Sequence, residues 1–251
     1  MPNMAKVERE APGLISLAKT AAVTLEQHGL TDLRAAVYLV LDHSLSMRRY
    51  YADGSVQRLA EQALALCAHL DDDGVVPLVF FSNEASRARP VRLANHRGIV
   101  NRLHQTQEWG STNLTAAMRA VVTHYHESQA RVPALVIVQT DGNPNFRRSA
   151  AKTLAEVSEL PLFWSFVGFG PRVEFLTQLD KLPVRALDGG PGALPNCGED
   201  NEFATLPERV VDNASAFHAV EPLATPDEEL YDGLLREVPT WLDAARTRGV
   251  L

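Results

Sequence analysis

At 251 residues, 45% apolar and 22% charged with a formal net charge of −7, the chain can bury one large core and carries no low-complexity tract. The acid excess argues against nonspecific binding to nucleic acid or to anionic lipid, since both need a cationic surface. Cys67 and Cys197 are too few for a disulfide framework or a cysteine zinc site. With no leader-like N-terminus and no apolar run of bilayer length, the expected address is the cytoplasm.

The first predicted element is PGLISLAKTAAVTLEQHGL, residues 12–30, a helix with Pro12 near its start and Gly29 just past its end. Residues 1–30 are therefore expected as a helical extension packed on a domain that covers 31–251. Residues 35–41 form an unbroken aliphatic run that reads as a strand buried on both faces. In SVQRLAEQALALCAHL, residues Val56, Leu59, Ala60, Ala63, Leu64, Cys67 and Leu70 recur at helical spacing along one face. DDDG, residues 71–74, lacks the spacing of a calcium loop and reads as a helix end turning into the strand at 75–81.

VRLAN, residues 91–95, follows a nine-residue connection and is expected to pair back antiparallel on that strand at a sheet edge. Weaker helical patterns at 112–125, 149–158 and 172–181 alternate with strands at 134–139 and 162–167. The Gly/Pro-rich stretch near 188–200 is expected as a surface insertion, a last strand is expected around 213–217, and a C-terminal helix interrupted near Pro239 closes the chain. The alternation predicts an α/β, Rossmann-like, mostly parallel central sheet with helices on both faces and an antiparallel edge strand.

The chemistry concentrates where these strands end. Asp42 closes the first strand, with Ser44 and Ser46 two and four positions on. Asp141 closes the 134–139 strand, and Thr112 opens a helical pattern between them. In an open parallel sheet, ligands bind outside the carboxyl ends of strands where the strand order reverses, so these five residues can converge if the two strands are neighbours. Two carboxylates and three hydroxyls are hard oxygen donors, suited to Mg²⁺, with Mn²⁺ or Ca²⁺ also possible, and not to zinc or copper. Neutral hydroxyls leave the ion electrophilic toward a further carboxylate.

DHSLS, GSTN and TDG resemble the three parts of the metal-ion-dependent adhesion site of von Willebrand factor type A (VWA) domains, over roughly residues 35–217. The phrases GSVQRLAEQALALCAHLDDDG, VVPLVFFSNE, LPLFWSFVGFG and ELYDGLLREVPTWLDAARTRG resemble the bacterial branch associated with tellurium resistance and stress response. The resemblance implies a Mg²⁺ held directly or through water by Asp42, Ser44, Ser46, Thr112 and Asp141, completed by an acidic side chain of a protein partner. It implies a noncatalytic interaction module. The family commonly has Gly where this chain has Leu45, so a positive φ there would be strained.

Arg48 and Arg49 follow the first loop, and Arg147 and Arg148 the second. The two pairs are expected as a basic rim steering an acidic partner, with solvated arginines as the bland reading. Trp109 and Phe146 are expected as packed aromatics near that rim, with partner contact as the other reading. His43 is expected to be solvated or to lie outside the ligand set, and His124 and His126, two apart, to face different sides of a helix. Two alternatives stay open: a metal-dependent hydrolase or phosphatase with Asp42 as nucleophile, and an accessory subunit of an ATPase chaperone or chelatase complex. The first lacks an evident general acid, since Ser44 stands where phosphatases of the haloacid dehalogenase group carry a second Asp.

Overall fold

The computed structural model describes residues 4–186 and 208–251. The Gly/Pro-rich stretch at 188–200, with Cys197, lies outside the described residues. Six strands form one sheet: β1 (Ala36–Asp42), β2 (Val75–Phe81), β3 (Arg89–Arg92), β4 (Ala134–Thr140), β5 (Leu162–Phe169) and β6 (Ala214–Ala219), in the order β3-β2-β1-β4-β5-β6. All neighbours are parallel except β2 and β3. This is the expected mostly parallel, Rossmann-like sheet with an antiparallel edge.

Both faces are covered because every strand of the centre is apolar on both sides. Along β1, Val37, Leu39 and Leu41 join one core while Tyr38 and Val40 join the other. The first core is closed by α1 (Met4–Glu10), α2 (Ile15–Gln27), the short α3 (Arg48–Ala52) and α4 (Ser55–Leu70), together with α5 (Ile99–His104). The second is closed by α6 (Leu114–Ser128), α7 (Arg147–Glu156) and α8 (Glu174–Asp180). Two C-terminal helices, α9 (Asp227–Leu235) and α10 (Val238–Thr247), return to the first core. Pro239 sits in the first turn of α10, where its missing N–H costs no helical hydrogen bond.

The apolar stripe of α4 is buried along its whole length, and α4 packs on α2, which also meets α9. Arg58 fastens α4 to α9 through a two-pronged contact with Asp227 at 2.8 Å, where Gln62 also donates at 2.7 Å. Past α2, Gly29 takes φ +68°, the left-handed turn that ends a helix.

The edge strand differs in register from the expected 91–95. It spans Arg89–Arg92 and then tightens into a 3₁₀ turn at Leu93–Asn95, because the Asn95 Oδ1 accepts the Arg92 N–H at 2.8 Å. That bond occupies a donor that the edge would otherwise offer, and Pro90 has none. Short length, two arginines and a proline protect this edge against strand addition.

Among the described residues, no helix is long and apolar enough to cross a membrane. What the topology does for function is place the reversal of strand order between β1 and β4. The chain leaves β1 toward β2 and later returns on its other side, so the loops after β1 and β4 diverge at the carboxyl edge.

Candidate metal site

Asp42 is fully buried at the end of β1. Its Oδ1 accepts the Ser44 N–H at 2.8 Å, and its Oδ2 accepts the Thr140 hydroxyl of the neighbouring strand at 2.5 Å. Desolvation pushes its carboxyl up to about 6, with the hydrogen bonds from Thr140 and Ser44 opposing the rise. The chain then turns through a 3₁₀ segment, Leu45–Met47, which presents Ser46 to the next loop. The Ser46 hydroxyl donates to Asp141 Oδ1 at 2.7 Å and lies 3.2 Å from the Ser44 hydroxyl.

Four of the five expected residues, Asp42, Ser44, Ser46 and Asp141, are thus linked in one hydrogen-bonded chain. Thr112 reaches the group through the backbone. Leu45 donates its N–H to Gly110 O at 3.1 Å, Ser44 and Gly110 form a β-bridge, and the Asn145 N–H donates to Thr112 O at 3.0 Å. Thr112 is buried between the first loop and the loop that follows Asp141. Asn113 then caps α6, its side chain accepting the Ala116 N–H.

Neither Asp42 nor Asp141 makes an ion pair among the described residues. A buried carboxylate held only by neutral donors, with a second carboxylate and two hydroxyls beside it, suits a hard cation. Among the described residues no group of three or more His, Cys, Asp or Glu could hold a metal, so any ion here depends on the hydroxyls. The residues present therefore fit a Mg²⁺-type ion. Such an ion would supply a positive charge open to a further oxygen ligand.

The strain raised by Leu45 is absent. Among the described residues Gln129 is the only non-glycine with positive φ, so the 3₁₀ turn accepts a leucine, whose side chain is 58% exposed.

Of the rim residues, Arg48 lies over the Trp109 ring at 5.2 Å, Arg49 over Tyr50 at 4.4 Å and Arg147 over Phe175 at 6.0 Å. Arg148 and Arg147 fall in the first turn of α7, which starts two residues before the expected 149. Trp109 is packed as expected. Phe146 is not, and stands 61% exposed on the loop after Asp141.

Of the two readings of His43, burial removes the solvated one and leaves a place behind the ligand loop. The side chain is 1% exposed, stacks on Trp109 at 3.7 Å and sits between Glu108 O and His104. Burial pushes the imidazole down to about 4, so it is a neutral wedge under the first loop. His124 and His126 fall on different sides of α6, His124 bonding the Tyr38 hydroxyl at 2.9 Å. The sequence reading gave no role to Thr140, although it stands in the TDG motif, and missed Asn83, whose Oδ1 accepts the Ser111 N–H and hydroxyl.

Comparison with known proteins follows this geometry. The family model of the vWA found in the TerF C terminus matches residues 34–191 and 196–251. The uncharacterized protein YcbR of Bacillus subtilis strain 168 is 32% identical over 239 residues, 93% of this chain and 88% of its own. Among solved structures, manganese-loaded TRAP protein of Plasmodium vivax is 19% identical, with 79% of this chain and 74% of that one covered at TM-score 0.49. A von Willebrand factor type A protein from Catenulispora acidiphila is 10% identical, with 82% and 42% covered at TM-score 0.49.

Proposed function

The chain belongs to the vWA-TerF-like family of von Willebrand factor type A domains, and from that premise we propose that it is a noncatalytic module that grips a protein partner through a divalent ion. The ion, Mg²⁺ with Mn²⁺ or Ca²⁺ as substitutes, is held by Asp42, Ser44, Ser46, Thr112 and Asp141, and a partner's carboxylate completes its coordination. The assembly it serves is one of tellurium resistance or stress response, as the family's TerF relation suggests.

The observation that carries this reading is the Ser46 hydroxyl, which lies against Asp141 Oδ1 at 2.7 Å and Ser44 at 3.2 Å while Asp42 stays buried without an ion pair. The same geometry disfavours Asp42 as a phosphatase nucleophile. Its oxygens already accept the Ser44 N–H and the Thr140 hydroxyl, and Ser44 stands where a phosphatase of the haloacid dehalogenase group would carry its general acid.

Calorimetric titration of Mg²⁺, Mn²⁺ and Ca²⁺ into the metal-free chain tests the proposal beside Asp42→Ala, Asp141→Ala and the more exposed Ser46→Ala. Binding to the wild type that Asp141→Ala abolishes and Ser46→Ala weakens is the expected result. Heats that survive Asp141→Ala unchanged would remove the site.

A further inference from the structure

We infer that the rim around the oxygen cluster selects a partner segment in which the carboxylate is flanked by apolar side chains. This rests on the metal-dependent reading above. Six large apolar side chains are exposed among the described residues, and four of them, Leu45, Phe146, Val220 and Leu223, sit on loops that follow β1, β4 and β6 at the carboxyl edge of the sheet. Single exposed leucines are ordinary. Leu45 and Phe146 stand on the two loops that carry the site and Val220 and Leu223 on another loop of the same edge, a concentration that marks an interaction surface.

Leu45 and Phe146 are the inner pair. Leu45 lies between the two site serines, and Phe146 follows Asn145, whose N–H closes on Thr112 O at 3.0 Å. Nothing in the local fold calls for either side chain. The turn at Leu45 has no positive φ, and Phe146 precedes α7 without a side-chain capping bond. Val220 and Leu223 continue the surface outward. Tyr50 links the two regions, since it packs against Gly170 at the end of β5 and lies within electrostatic reach of both Asp141 and Glu221.

Charge complementarity decides the occupant. Arg48 and Arg49 are exposed directly after Leu45 on a chain of net charge −7, whereas Glu221 stands beside Val220, so it is the inner part of the surface, at Leu45 and Phe146, that offers positive charge together with apolar contact. An extended acidic and apolar peptide segment satisfies both. A membrane or a nucleic acid would present many anions to a protein that is acidic elsewhere.

The test is an NMR titration of the ¹⁵N-labelled full chain in Mg²⁺ with two amidated peptides, alike except that leucine and phenylalanine flank the central aspartate in one and serines in the other. Burial of two apolar side chains should make the first peptide bind at least about fivefold tighter to the wild type. Leu45→Ser/Phe146→Ser should bind both peptides alike, with calorimetric Mg²⁺ affinity unchanged. Equal binding by the wild type, a preference that survives in the double variant, or no peptide shift from Mg²⁺-loaded protein overturns the inference and leaves the metal reading intact. Absence of Mg²⁺ binding overturns both. Sedimentation in Mg²⁺ completes the test: self-association of the wild type that the double variant loses would assign the surface to a second copy and overturn a foreign segment.

Discussion

The Thr140 hydroxyl donates to Asp42 Oδ2 at 2.5 Å across the boundary between β4 and β1. Because the Ser44 N–H holds the other oxygen at 2.8 Å, the carboxylate plane is fixed by the fold itself. Parallel neighbours at the point of strand reversal bring the two residues level, so the site's orientation is set by sheet register, and its loops need only supply Ser44, Ser46 and Thr112. Pre-set orientation reduces the ordering that ion binding must otherwise impose.

Replacing Thr140 with valine keeps the shape of the side chain and removes the donor. The buried Asp42 Oδ2 then loses its donor, which costs about 1–3 kcal/mol. Urea unfolding of metal-free Thr140→Val should show a lower midpoint with an unchanged slope. A midpoint equal to wild type would mean that the contact contributes nothing net.

Mg²⁺ should stabilise the fold by mass action, since Asp42, Ser44, Ser46 and Asp141 are brought together only in the folded chain. At a free concentration of one hundred times Kd the gain is about 2.7 kcal/mol. Scanning calorimetry should therefore show a melting temperature that climbs with the logarithm of Mg²⁺, and Asp141→Ala should flatten the dependence. A wild-type melting temperature indifferent to Mg²⁺ would contradict the site.

Much of this was legible from residue pattern, for a physical reason. Strands buried on both faces have no polar alternation, so residues 75–81 and 134–139 stood out, and Asp42 and Asp141 were marked by ending such runs. What escaped depended on single contacts. The 3₁₀ turn after β3 follows from one Asn95 side-chain bond, and α3 and α5, five and six residues long, are too short to show a period. His43 adjoins the ligand loop in sequence, yet its burial comes from Trp109, which is distant along the chain and stacks on it at 3.7 Å. Thr140 stood just past the expected strand, inside the TDG motif, and its role came only with the pairing of β1 and β4 that sets it against Asp42.

Arg209 gives a prediction away from the site. It is 1% exposed, donates to the backbone carbonyls of Asp180 and Leu182, and lies 2.6 Å from an Asp212 carboxylate oxygen. Arg209→Met keeps the apolar stem and takes the donor from the two buried carbonyls, while Asp212, about half exposed, keeps water and the Ala214 N–H as partners. The loss should be about 1–3 kcal/mol in chemical unfolding, the cost of leaving buried carbonyls without a donor. A loss under about 1 kcal/mol, the scale of an exposed pair, would show that water reaches the cluster.

The same cluster sets a pH dependence. Burial, followed by the charges of Asp180 and Asp212, pushes the Glu237 carboxyl from 4.5 up to about 7. Burial and Asp212 push Asp180 from 3.8 up to about 6. Each group therefore binds a proton more tightly in the folded chain than in the unfolded one. Stability falls with rising pH across the range where the folded state holds the extra proton, so these acids favour folding at low pH, and the benefit is lost as pH rises from about 4 through about 7. Glu237→Gln keeps a similar side-chain shape and never ionises. Its melting temperature should exceed that of wild type by a few degrees at about pH 8 and show no gain near pH 4, where Glu237 is already protonated in both states. A pH profile parallel to wild type would mean that Glu237 ionises in the folded chain as freely as in water.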